Sequence, residues 1–94
     1  MTFARIQALC ELVRRYKYYA PATSEVIVII SFALLPELRA KCTKSMIINN
    51  KNIEYFMGCQ VVVDLASDYL AVAYMNINDG QYHDISEITN EDMT

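Results

Sequence analysis

The chain has no tryptophan, two glycines, two prolines and a single histidine. Two glycines, Gly58 and Gly80, neither in a glycine-rich loop, exclude a phosphate cradle, a dinucleotide fingerprint and a nucleophile elbow. One histidine leaves little for acid–base work: His83 needs a nucleophile and an orienting group beside it. Its sequence neighbour Asp84 is expected on the opposite face of a strand, so His83 reads as a surface residue. The longest apolar run, residues 26–35, is interrupted by Ser31. It is about half of the ~20 residues that span a bilayer, and the first residues lack a signal-peptide pattern. The reading is a soluble, cytoplasmic protein without a membrane partner.

Basic residues are missing from the whole second part. All eight lysines and arginines lie at or before Lys51, alongside only Glu11, Glu25 and Glu37; residues 52–94 carry eight acids and no base. The two parts are therefore about +5 and −8, giving the net charge of −3. Such asymmetry suggests an electrostatic partner or a head-to-tail self-contact.

What is present describes a folded domain. Ninety-four residues with 54% hydrophobic and 20% charged composition make one globular domain, residues 1–94, with a small core that oligomerisation would help. Cys10, Cys42 and Cys59 are odd in number, widely spaced and free of any CxxC pair, which reads as three reduced thiols.

Residues 2–18 read as an amphipathic helix, with Thr2 as N-cap and an apolar stripe of Phe3, Ile6, Leu9, Cys10, Val13 and Tyr16. Residues 20–24 connect it to residues 25–31, a β-branched strand apolar on both faces and hence central. A short helix follows over 32–41, capped by Ser31, with Pro36 tolerable in its first turn. Residues 45–49 and 53–56 form a hairpin about Asn50. Gly58 reads as a bulge or bend before the strand 59–64. After a connection at 65–68 come a strand at 69–78, a two-residue Asp79-Gly80 hairpin and a return strand at 81–85. Residues 87–94 read as a frayed acidic tail. The fold class is α+β: an N-terminal helix, a strand, a short helix, then a mostly antiparallel sheet of four to five strands, with the helices on one face.

No constellation carries metal or cofactor chemistry, and no cofactor is expected. Asn76-Ile77-Asn78-Asp79-Gly80 looks like a calcium loop, but with Gly80 at the sixth position two of the three preceding ligand positions are Met75 and Ile77. Zinc would need Cys10, Cys42, Cys59 and His83 to converge without any paired spacing. Asp64 and Asp68 punctuate the ends of strands.

Two clusters remain. Arg14-Arg15-Tyr16-Lys17-Tyr18-Tyr19 interleaves bases with aromatics, a composition that can neutralise phosphate and stack on nucleobases. The same residues suit a helix C-terminus, where cations complement the dipole and tyrosines fold onto the core. A pI of 4.9 counts against nucleic acid. Asp79, Asp84, Glu87, Glu91 and Asp92 form an acidic surface for a basic partner, or a solvated face that keeps the chain soluble.

The stretch Glu25-Val-Ile-Val-Ile-Ile-Ser31 with a short helix after it, the hairpin about Asn50, Ile53-Glu-Tyr-Phe-Met-Gly-Cys-Gln-Val-Val-Val-Asp64 and Leu70-Ala-Val-Ala-Tyr74 resembles a layout of small phage-encoded proteins and phage virion components. It covers about half the chain and is one of pattern. It implies no catalytic residues and points to assembly or host-factor binding. The expected function is a non-enzymatic protein-interaction module that self-associates. The alternative is a small nucleic-acid-associated regulator using Arg14, Arg15, Lys17, Tyr18 and Tyr19.

Overall fold

Helix α1 (Phe3–Tyr18) opens the chain, and its placement follows from its i, i+4 stripe. The structure, a computed structural model, describes the backbone of residues 2–48 and 51–89, and their side chains except at 41–44 and 46–48. Thr2 caps α1 by accepting the Arg5 N–H at 3.2 Å. Leu9, Val13 and Tyr16 are buried along it, as the periodicity predicts. Phe3, expected on that stripe, is exposed, and Arg5 takes the buried place instead.

The remaining elements are β1 (Ser24–Ser31), α2 (Leu35–Cys42), β2 (Thr43–Ile48), β3 (Lys51–Phe56), β4 (Cys59–Asp64), β5 (Leu70–Asn76) and β6 (Tyr82–Glu87). Among the described residues the six strands form one sheet in the order β2-β3-β4-β1-β5-β6. β1 runs parallel to β4 and antiparallel to β5, and the other pairings are antiparallel. The fold is thus α+β with a mostly antiparallel sheet, and the most apolar strand is its centre.

Alternation along β1 builds two layers. Val28 and Ile30 join Leu9, Val13 and Tyr16 of α1 and Leu35 and Leu38 of α2 in the main core, with Phe56, Val61, Leu70 and Val72. Ile27 and Ile29 face the other way and meet Ala71 and Ala73 in a second cluster that contains no helical residue. Half-buried Val62, Tyr69 and Met75 close it. Both helices therefore lie on one face.

Several local expectations are corrected by turn chemistry. The short helix begins at Leu35 after a turn at 32–34, so Pro36 does fall in its first turn. The Ser31 hydroxyl, expected to cap that helix, instead accepts the Tyr69 N–H at 3.2 Å. Gly58 is no bulge. Met57 and Gly58 both have positive φ, 52° and 78°, and together make the two-residue turn of a hairpin joining β3 to β4, as type I′ geometry demands. The Asp79-Gly80 hairpin is present but longer than two residues: Asn76 donates to the Gln81 carbonyl at 2.9 Å, and Gly80 donates to the Asn76 carbonyl at 2.8 Å. Asn76 and Asp79 side chains, accepting from Asn78 and Gln81, hold that loop. The expected tail starts inside the fold, since Glu87 closes β6 and Ile88 is buried, its N–H donating to Leu70 at 2.7 Å. Asn49, Asn50, Glu91 and Asp92 lie outside the described residues.

Candidate functional site

The last turn of α1 presents the basic and aromatic cluster. Burial of Leu9, Val13 and Tyr16 turns Arg14, Arg15 and Tyr18 outward by helical geometry. Tyr19, the C-cap, donates to the Arg15 carbonyl at 3.2 Å. The tyrosines divide. Tyr16 is buried, and its ring lies 4.7 Å from that of Tyr74. Tyr18 and Tyr19 are 82% and 70% exposed, and their rings meet edge to face at 4.9 Å. The alternative in which these two rings fold onto the core is thereby removed. Neither Arg14 nor Arg15 has an ion-pair partner among the described residues, whereas Lys17 donates to the Met57 carbonyl. Lys17 also overhangs a cleft of about 330 Å³ whose lining includes Glu25, Tyr55, Cys59 and Gln60.

The acidic residues are ordered along one edge strand and the loop before it. Asp79 sits in the β5–β6 loop, Asp84 within β6 and Glu87 at its end, and all three are exposed. Asp84 has φ 53°, and between the pairs Val72↔Ser86 and Tyr74↔His83 β6 carries one extra residue. That is a β-bulge, and it overturns the expectation that Asp84 points away from His83.

At the bulge the Asp84 carboxylate lies 3.3 Å from His83 Nδ1, and Ser24 Oγ lies 3.2 Å from His83 Nε2. The connectivity is that of a Ser–His–Asp relay, which sequence reasoning missed because a bulge leaves no signature in a run such as Tyr82-His-Asp-Ile-Ser-Glu87. Its surroundings are those of a structural clasp. Asp84 is exposed where a relay carboxylate is buried, and the Ser24 N–H is already donated to the Pro21 carbonyl at 3.1 Å. Tyr16 completes the clasp, its hydroxyl donating to the Asp84 carbonyl and lying 2.6 Å from Ser86 Oγ. Tyr74 donates to the Tyr16 carbonyl at 2.7 Å; burial first, then Tyr16 and Asp84, push its hydroxyl above the ordinary tyrosine range. Edge strand, central sheet and helix are thus tied together beside the exposed tyrosines.

A second tie stands at the other end of α1. Arg5, 3% exposed, donates twice to the Ile88 carbonyl, at 3.2 and 3.0 Å, and to the Asp68 carboxylate at 2.8 Å. The signal for it was available in the sequence, since Arg5 stands four residues before Leu9 on the buried stripe. Asp64 does punctuate its strand end, accepting the Ala66 N–H at 2.7 Å.

Cys10 and Cys59 are free, and burial raises the Cys59 thiol above its usual range against the opposing pull of Lys17. Among the described residues no group of three metal-ligating side chains converges, and no helix is long and apolar enough to cross a membrane. Compared with known proteins, the chain matches no family model, no curated protein and no solved structure.

Proposed function

We propose that the chain is a non-enzymatic protein-interaction module that self-associates through the end of α1. The observation that carries this reading is the exposed Tyr18–Tyr19 pair standing beside Arg14 and Arg15. Tyrosine and arginine dominate interface hot spots because they bring large contact area and directional donors at modest entropic cost. Lys17, held on Met57, orients the turn and is less available to a partner. The acceptor surface is the acidic second half: Asp79, Asp84 and Glu87, followed by Glu91 and Asp92 in the sequence. Arg15 and Glu87 line one cleft, so reciprocal contact of the two surfaces closes a two-fold dimer, while one-way contact propagates into rings or filaments. The resemblance to phage-encoded proteins supports a part in assembly or in binding a host factor, and the free Cys10 and Cys59 support a cytoplasmic setting.

The same exposed rings beside arginines favour a second reading, stacking on single-stranded nucleic acid. The net charge of −3 weighs against it. Sedimentation equilibrium at micromolar concentration, with and without a fluorescent single-stranded oligonucleotide, separates the two. The self-associating module runs above 10.8 kDa, falls toward it in Tyr18→Ala/Tyr19→Ala, and leaves the oligonucleotide free. A wild type at 10.8 kDa overturns self-association. An oligonucleotide bound by the wild type and released by the double variant selects the second reading.

A further inference from the structure

One stretch of strand edge is left open inside the sheet. β3 and β4 leave the Met57–Gly58 turn paired at Phe56↔Cys59 and Tyr55↔Gln60, and there their pairing stops. Both strands run on, β3 back to Lys51 against β2 and β4 forward to Asp64 against β1. The next registers are Glu54 opposite Val61 and Asn52 opposite Val63, and neither pair forms.

Main-chain parity shows what this leaves. Alternate residues of a strand turn their N–H and C=O toward a given neighbour. Phe56 faces Cys59 across the two-residue turn, so Glu54 and Asn52 turn the same way. On β4 the Asp64 carbonyl accepts the Phe32 N–H at 2.9 Å on the β1 side, which directs Val61 and Val63 toward β3. Four residues therefore point peptide groups into the gap between the strands. That gap is a cleft of about 270 Å³ whose walls include these same four residues, Asn52, Glu54, Val61 and Val63.

We infer that this cleft is a strand-acceptor site, in which an extended segment of a partner protein adds to the β4 edge at Val61 and Val63. Main-chain hydrogen bonds supply the affinity of such additions, and side chains at alternate positions supply the selectivity. The walls define the segment. Val61 and Val63 ask for apolar, β-branched residues. The two charges present, Arg39 and Glu54, satisfy each other through bonds from Arg39 Nε at 2.9 and 3.0 Å to the two carboxylate oxygens, so a charged segment finds no counter-ion. The occupant is an uncharged segment alternating Val or Ile with Thr. This surface is separate from the Tyr18–Tyr19 pair and stands or falls independently of it.

Two measurements test it. In the free protein the Val61 and Val63 amides should exchange with solvent at least ~10-fold faster than those of Gln60 and Val62, which face β1. An acetylated, amidated peptide alternating Thr and Val, with a lysine at each end, should slow them to the rate of their neighbours. The double variant Ile53→Cys/Val62→Cys allows a disulfide across the next non-hydrogen-bonded register; closing it draws those Cα atoms to the ~4.5 Å of a formed pair and zips β3 onto β4. The reduced variant should bind the peptide and the oxidised one should not. Equal binding by the two forms, equal protection of all four amides in the free protein, or no binding of the peptide at about 1 mM overturns the proposal. Loss of self-association on oxidation, with no peptide bound by either form, would make the occupant a second copy and overturn the partner-segment assignment.

Discussion

Lys17 lies across Gly58: its ammonium donates to the Met57 carbonyl and stands 3.0 Å from where a Cβ on residue 58 would be. The glycine thus meets two demands, the positive φ of 78° in the β3–β4 turn and the close approach of the helix end. The ammonium is the far end of a flexible chain and can move, so the backbone conformation sets most of the cost. Gly58→Val should destabilise by roughly 1–3 kcal/mol, read as a lower urea midpoint. Gly58→Asn should lose less, because asparagine tolerates the left-handed region. A valine variant with an unchanged midpoint would contradict the turn assignment.

Arg5 joins the start of α1 to residues 68 and 88 and is buried while Asp68 is half exposed. The two partners of this ion pair should therefore respond unequally. Arg5→Met leaves the buried Ile88 carbonyl without its donor and should cost about 2–4 kcal/mol. Asp68→Asn leaves Arg5 its two bonds to Ile88 and should cost no more than about 1 kcal/mol. Urea unfolding of both variants, followed by circular dichroism, gives the comparison. Equal losses would place the energy in the ion pair instead of the carbonyl.

The Arg39–Glu54 pair gives stability a pH dependence at the acid end. The hydrogen bonds from Arg39 hold the Glu54 carboxyl below the usual carboxylate range, against the opposing effect of burial. A carboxyl whose folded pKa is depressed stabilises the fold above its unfolded value, about 4.3, and this is lost as pH falls through the folded value. Glu54→Gln should therefore be less stable than wild type at pH 7, and the gap should shrink as pH falls below the unfolded value. Urea midpoints for both proteins at pH 7 and at pH 3 measure it. A gap that widens on acidification would reverse the sign of the linkage.

Element type was legible wherever periodicity was strong. The stripe of Leu9, Val13 and Tyr16 and the unbroken apolar run of β1 each admit one interpretation, and both took it. Turns were legible only as places where the chain bends. Gly58 announced positive φ, but a bulge and a type I′ turn both use it, and only the pairing of Phe56 with Cys59 tells them apart. The clasp at His83 was hidden for the same reason. One extra residue in β6 turns Asp84 beside His83, and nothing in the local composition marks it. Helical spacing placed Tyr16 on the buried stripe and Tyr18 on the opposite face, and both lie there; Tyr19, past the end of the helix, had no such periodicity to place it. The open β3–β4 edge is further still from the sequence, since it depends on two strands parting after two paired registers.

The charge asymmetry makes the last prediction. If the end of α1 meets the acidic half of a neighbouring copy, the exposed guanidinium groups of Arg14 and Arg15 steer the encounter and the tyrosines hold it. Arg14→Glu/Arg15→Glu should then weaken self-association strongly at low salt. The effect should fade as salt rises, because the Debye length falls from about 10 Å at 0.1 M to about 3 Å at 1 M. Tyr18→Ala/Tyr19→Ala should weaken association at both salt concentrations, since apolar contact is not screened. Adding Glu91→Lys/Asp92→Lys to the arginine reversal should restore part of the low-salt association, because opposite signs face each other again. Sedimentation of the four proteins at 0.1 M and 1 M salt separates the contributions. Rescue by the tail reversal is the discriminating outcome: a nucleic-acid surface would lose binding on arginine reversal and gain nothing specific from lysines at 91 and 92. Identical sedimentation of all four would mean that the asymmetry is only a solvated surface.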